Sequence, residues 1–262
     1  MDLGIDGDAA LVTAGTAGLG LASAEALAQA GCDVAVCGRD EERLADAERR
    51  LESAGDGEVL GVSADITDGE EIEGFVGDAV RSFGGLDHVV TSAGGPPSGS
   101  FLEMDDEDWY RAYDLLVMSV VRTVRAAHPT LADDGGGTVV CITSRSVREV
   151  IDELVLSNAV RRGVIGLMKT LSREFAPAVR ANAVLPGAHE TGRIEELVED
   201  AVERGDAENY EAGLADWADG IPLERVGDPT ELGETVAWLS SERSSYVSGA
   251  AVPVDGGSTR ST

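Results

Sequence analysis

A single α/β domain with a doubly wound parallel sheet is the fold this sequence predicts. Three observations predict it. Short apolar runs alternate with amphipathic stretches along the whole chain. The first apolar run leads straight into a glycine-rich turn that opens a helix. The 262 residues, 43% of them hydrophobic, suffice for one substantial core, and no repeat or linker divides them. Such alternation builds a parallel sheet covered by helices on both faces, the Rossmann-like arrangement.

Taken in order, Ala9–Val12 reads as the first strand and Thr13–Ala17 as the turn. A helix over Leu19–Ala30 keeps Leu21, Ala24, Leu27 and Ala28 on one face and stops at Gly31. Val34–Cys37 is a second strand, and Glu41–Leu51 the helix after it. Val59–Val62 is a third strand, Gly69–Phe83 a helix, and His88–Thr91 a fourth strand. Gly94–Ser100 is a flexible loop, Trp109–His128 one long amphipathic helix, and Asp133–Gly137 a turn. Thr138–Thr143 is a fifth strand, Ser157–Phe175 a helix and Ala181–Leu185 a sixth strand. A late helix at Glu231–Ser240 and a last strand at Ala250–Val254 close the series.

The turn carries the first functional signal. Its glycines remove side chains where a ligand or the helix must come close, and the free N–H groups of the helix favour a phosphate. An ordinary strand-to-helix turn is the plain reading. Its place after the first strand instead points to a bound dinucleotide. Ligands of such sheets lie at the carboxyl ends of the strands. The second strand ends in Arg39–Asp40. A base there suits a ribose 2′-phosphate and an acid a 2′-hydroxyl. Arg39 favours NADP, and Asp40 keeps NAD open.

Composition excludes some partners. The net charge is −29, with Lys169 the only lysine. Such a chain repels nucleic acid and anionic membranes. The acid is spread along the chain, as in a solvated shell suited to high salt, so a halophilic protein is expected. Cys32, Cys37 and Cys141 are an odd count without metal-like spacing and read as small buried residues of a reducing compartment. No apolar run approaches membrane length, and no signal peptide is read at the start. The expected location is cytoplasmic.

The turn LVTAGTAGLG resembles the TGxxxGxG turn of the short-chain dehydrogenase/reductase superfamily, with Ala14 in place of the first glycine. The resemblance runs from about Leu11 to Gly257. It implies cofactor contacts from Gly15, Thr16, Ala17, Gly18, Leu19 and Gly20. Asp65–Ile66 resembles the pair that caps the adenine, and Ser92–Ala93–Gly94 the end of the NNAG motif. Pro186–Gly187, His189 and Thr191 match the segment beneath the nicotinamide and beside the pyrophosphate. Pro222–Pro229 and Val254–Gly257 resemble the closing motif.

The same resemblance places Ser144 as the residue that polarises the substrate carbonyl. Ser157 falls at the family's proton-donating Tyr, Arg161 at its Lys, and Leu116 at its relay Asn. The implied catalytic set is therefore Ser144, Ser157 and Arg161, with Arg161 also on the cofactor ribose. A serine hydroxyl is far less acidic than a phenol. Arg keeps the cation but does not release protons. The proton then comes from water or from another residue, and His189 either serves as that donor or only packs against the cofactor. Two readings result. One is an NAD(P)-dependent oxidoreductase interconverting a small-molecule ketone and alcohol at a non-standard site. The other is a dinucleotide-binding redox sensor or structural subunit without turnover. The segment at about 189–220 is expected to cover the substrate. The resemblance implies a homotetramer or homodimer packed through the two long helices.

Overall fold

The computed structural model describes residues 2–133 and 136–261, apart from the side chain of Arg193. Part of the expected Asp133–Gly137 turn lies outside the described residues. Seven strands form one parallel sheet in the order β3-β2-β1-β4-β5-β6-β7. They are β1 (Ala9–Val12), β2 (Asp33–Gly38), β3 (Val59–Ser63), β4 (His88–Thr91), β5 (Gly137–Ile142), β6 (Val179–Pro186) and β7 (Ala251–Val254). The doubly wound fold expected from the alternation is the fold observed. The order reverses between β1 and β4, which opens a crevice at their carboxyl ends.

The helices are α1 (Gly18–Gln29), α2 (Glu41–Ala54), α3 (Gly69–Phe83), α4 (Asp106–Tyr113), α5 (Ser119–Leu131), α6 (Val155–Glu174), α7 (Gly192–Arg204), α8 (Tyr210–Ala218) and α9 (Pro229–Ser240). Alternate strand residues feed two cores. Leu11, Val89, Val139 and Ala183 face α3, α5 and α6, whereas Val12, Val90, Val140 and Val184 face α1, α2 and α9. Much of the acid is local structure. Asp40, Asp68, Asp105 and Asp228 each accept a backbone N–H at the start of a helix.

The long helix expected over Trp109–His128 is present, and extends over residues 106–131, but it is not a regular α-helix throughout. It starts at Asp106 behind an Asp105–Asp108 capping box, widens into a π turn over Asp114–Met118, and runs on as α5 to Leu131. The extra residue lets Leu116 and Val117 both turn inward, a shift that a 3.6-residue period does not reveal. Gly94–Ser100, expected as a flexible loop, is tied down where the Gly99 N–H donates to the Glu153 carbonyl at 2.6 Å. The acidic 192–220 segment folds as α7 and α8 over its own small core of Ile194, Val198 and Val226. Tyr210 Oη donates to Glu190 Oε1 at 2.8 Å and holds this unit against the chain leaving β6. No helix among the described residues is long and apolar enough to cross a membrane.

Candidate active site

The glycine turn is shaped by packing. A Cβ on Gly15 would lie 2.8 Å from Val36 Cγ1, and one on Gly20 would lie 2.4 Å from the Ala14 carbonyl oxygen. Gly15 N–H donates to the Cys37 carbonyl at 3.1 Å, which ties the turn to β2. Gly18 adopts φ +54° and Ala14 φ +46°. Ala14 thus takes the left-handed conformation that glycine takes without steric cost. Ala14→Gly is expected to raise stability by about 0.5–1 kcal/mol. A lower denaturation midpoint instead would mean that the methyl contact with the core outweighs the strain.

Ala17 is the N-cap of α1 and makes no side-chain cap; Leu19 and Gly20 come next without an acid in the first turn. Thr191, the N-cap of α7, also makes no side-chain cap, and its Cγ2 would lie 3.6 Å from a Cβ on Gly18. Two uncapped helix starts thus meet at one point, where their N–H groups suit a diphosphate.

At the end of β2, Thr16 sits over Gly38, where an added Cβ would lie 2.6 Å from Thr16 Oγ1. Asp40 is occupied. It accepts the Arg43 N–H at 3.0 Å as the cap of α2, and Arg43 Nε at 3.3 Å. Arg39 is exposed, with Nη1 3.3 Å from Asp65. Asp65 also accepts the Thr67 N–H and hydroxyl at 2.9 and 2.7 Å. Burial works to raise the Asp65 carboxyl, but the Thr67 bonds and Arg39 outweigh it and hold it below the ordinary range. Ile66 beside it is buried.

The ends of β4 and β5 carry the chemical groups. Ser144 caps a short 3-10 turn, Arg145–Val147, and its Oγ accepts the Ser146 N–H at 3.1 Å. Ser157 and Arg161 lie one turn apart on α6, and both are buried. Ser157 Oγ lies 3.0 Å from Ser146 Oγ. Arg161 crosses between the strand ends, with Nη1 3.3 Å from the Thr143 carbonyl and Nη2 3.2 Å from the Gly94 carbonyl, beside Ala93. Its Nε has no partner among the described residues. Burial pushes this guanidinium down to about 10. The structure therefore joins Ser144 and Ser157 through Ser146, a residue that sequence reasoning missed, and joins Arg161 to Gly94 and to the Thr143 carbonyl next to Ser144. Leu116 is buried within the π turn. Arg148 is committed to the Ala251 carbonyl at 2.9 Å.

Pro186 ends β6, and Gly187 lets the chain pass the closing loop, since a Cβ there would lie 2.8 Å from Asp255 Cα. His189 is buried. Its Nδ1–H donates to the Gly187 carbonyl at 3.3 Å, and its ring lies against Gly227. Burial lowers its pKa below the ordinary value, against the pull of Gly187, Glu231 and Asp228. The ring forms one wall of a cleft of about 470 Å³ with Leu223, Arg225, Glu231 and Asp255. Ser144, Ser157 and Arg161 do not line that cleft.

Residues 13–259 match the family described as Enoyl-(Acyl carrier protein) reductase. The chain is 32% identical over 256 residues to dehydrogenase/reductase SDR family member 4 of Bos taurus, covering 97% of this chain and 88% of that relative. L-sorbose reductase from Gluconobacter frateurii, solved with NADPH and L-sorbose, superimposes with a TM-score of 0.95 at 30% identity, over 100% of both chains. An NADPH-bound short chain oxidoreductase from Pseudomonas aeruginosa PAO1, described as containing an atypical catalytic center, gives a TM-score of 0.88 at 33% identity, over 97% of this chain and 98% of that one. The family match runs from the glycine turn to the closing loop, and relatives align over nearly the whole length; the chain belongs to the short-chain dehydrogenase/reductase superfamily.

Proposed function

We propose that this chain is an NADPH-dependent oxidoreductase that interconverts a small-molecule ketone and its alcohol. The carrying observation is the buried Arg161 guanidinium, with its Nε unpartnered among the described residues, bonded to the carbonyl of Thr143 next to Ser144 and one helical turn from Ser157. The two uncapped helix starts fit the cofactor's diphosphate. At the end of β2 Asp40 is occupied as the helix cap, while Arg39, exposed and paired through Nη1 with Asp65, keeps its other guanidinium N–H groups for a 2′-phosphate. The G. frateurii and P. aeruginosa relatives were solved with NADPH. Bound NADPH supplies the hydride.

The protein's own part is electrostatic. Ser144 Oγ accepts from the Ser146 N–H, so its hydrogen is free to donate to a carbonyl oxygen. Arg161 stabilises the negative charge that develops on that oxygen. Solvent water supplies the proton to the alkoxide and leaves as hydroxide; a serine that gave up its proton would have to recover it from the same water, and arginine keeps its charge. His189 holds the chain at the end of β6 through its bond to the Gly187 carbonyl and its packing on Gly227. The α7–α8 unit covers the substrate. Supporting an assembly of two or four copies, Tyr110 and Tyr113 stand exposed on α4. The acidic shell fits a protein of a salt-rich cytoplasm.

Two measurements test this reading. Fluorescence titration with NADPH and NADH in KCl of about 2 M, where surface repulsion is screened, is expected to show tighter binding of NADPH. Arg39→Ala should narrow that preference, and equal binding of both cofactors by the wild type would sink it. Ser144→Ala is expected to lower turnover of a reactive ketone on the order of 100-fold, the cost of one oxyanion donor. A folded wild type that binds NADPH yet turns over no ketone or alcohol would favour the non-catalytic dinucleotide-binding reading. The observation behind that reading is the absence of any phenol, carboxyl or amine among the groups bonded to Ser144, Ser157 and Arg161.

A further inference from the structure

Ser146 touches both site hydroxyls. Its N–H donates to Ser144 Oγ at 3.1 Å, and its own Oγ lies 3.0 Å from Ser157 Oγ. It is fully buried, at 0% exposure, whereas Ser157 is 6% exposed. Neither the Ser146 nor the Ser157 hydroxyl has another hydrogen-bond partner among the described residues.

One of the two hydroxyls must donate to the other. Were Ser157 the donor, the Ser146 hydrogen would be left in a closed space with no acceptor, a costly arrangement for a buried polar group. Were Ser146 the donor, its hydrogen would be satisfied, and the freed hydrogen would be that of Ser157, which keeps some exposure. The difference in burial therefore sets the direction. Ser146 O–H donates to Ser157 Oγ, just as Ser146 N–H donates to Ser144 Oγ. Both site hydroxyls accept from Ser146, and both keep their hydrogens for a ligand. A hydroxyl that accepts a hydrogen bond is also the stronger donor.

We propose that Ser146 is a positioning residue that turns Ser144 and Ser157 into a pair of donors aimed at one substrate oxygen. The proposal rests on the carbonyl-reduction reading and deepens it, because it shows how two serines do the polarising work without a phenol. Ser146 itself touches neither substrate nor cofactor. It acts through the direction of two O–H bonds.

Ser146→Ala removes the hydroxyl and keeps the N–H. Ser157 then rotates freely, and kcat for ketone reduction is expected to fall about tenfold, a difference of about 1.4 kcal/mol. The Kd for NADPH and the melting temperature should stay near those of the wild type. On a Ser157→Ala background the same change should lower kcat less than twofold, because its target is gone. The proposal is overturned if Ser146→Ala alone leaves kcat within twofold. It is also overturned if the tenfold loss persists without Ser157, or if Ser146→Ala loses cofactor binding and fold together with rate.

Neutron diffraction from deuterated crystals of the NADPH complex reads the same point without turnover. Deuterium on Ser146 Oγ directed at Ser157 Oγ is the expected result, and the reverse overturns the proposal. A wild type inert towards every ketone would remove the reduction reading, and the neutron map would still decide the hydroxyl order.

Discussion

Replacing Arg161 by Met is expected to raise the melting temperature of the ligand-free protein by about 3–6 °C, while lowering ketone turnover about a thousandfold. The two effects have one cause. Arg161 is 8% exposed and pairs with no acid among the described residues; its bonds are two long ones to carbonyls, at 3.3 and 3.2 Å. Among the described residues its Nε is unpartnered, and burial depresses its pKa. Removing one member of a buried ion pair is destabilising because a charge is left behind; here the charge is already uncompensated. Methionine is flexible and fills the same channel without a charge. Against this gain stands the Thr143 carbonyl, which loses a donor at a cost of about 1 kcal/mol; Gly94 is an exposed residue, so its carbonyl turns to water. A net gain of about 1–2 kcal/mol remains, which sets the temperature range given.

The catalytic loss has its origin in the same atoms. Guanidinium hydrogen bonds to developing negative charge are about twice as strong as neutral ones, so their removal exceeds the loss from Ser144. A stabilised but inactive variant would show that the charge is kept for function at a structural cost. A variant that melts lower than the wild type would mean that Arg161 is held by more than the two carbonyls. Unchanged turnover would take Arg161 out of the site. A circular-dichroism melt and a steady-state assay on the same preparation separate these outcomes.

The fold was legible because its signals are local. Ala9–Val12, the turn after it and the alternation beyond each fix an element within a few residues, and the sheet order is set by the connections. The π turn was not legible. One inserted residue at Asp114–Met118 leaves the composition of the helix unchanged and only rotates the residues of α5 beyond it. Asp40 looked ambiguous as a neighbour of Arg39. Its helix-capping bond, visible only once α2 is in place, removes the ambiguity. Ser146 is the clearest omission. It stands two residues after Ser144 with nothing to mark it. Only the packing of the 3-10 turn against α6 brings its hydroxyl to Ser157. Pairing of that kind is tertiary, and sequence spacing carries little of it.

Dilution of salt is expected to have the largest effect on this protein: a fold stable in KCl of about 2 M should be lost, or melt tens of degrees lower, at about 0.1 M. The chain holds 49 acidic and 20 basic residues, a net −29. Several arginines are already spent in exposed pairs such as Arg39–Asp65, Arg50–Glu25 and Arg225–Glu231. Most carboxylates therefore face water without a cation. Spread over a folded sphere of about 23 Å radius, such a charge repels itself by on the order of 20 kcal/mol at a Debye length of about 10 Å. At a Debye length of about 2 Å the repulsion falls to roughly a third of that. Expansion on unfolding relieves most of it in either case. The salt-dependent difference, on the order of 10 kcal/mol, is as large as the whole stability of a typical domain, about 5–15 kcal/mol. Screening should act mostly below about 1 M, because the Debye length shrinks with the square root of ionic strength. Salting-out of apolar surface would instead grow steadily with concentration. Glu196, Glu199, Asp200 and Glu203 on α7 are exposed. Replacing these residues by their amides should lower the KCl needed for folding. A melt equal at both salt concentrations would show that the acidic shell costs the fold nothing. An amide variant with an unchanged salt requirement would assign the stabilisation to salting-out rather than to charge.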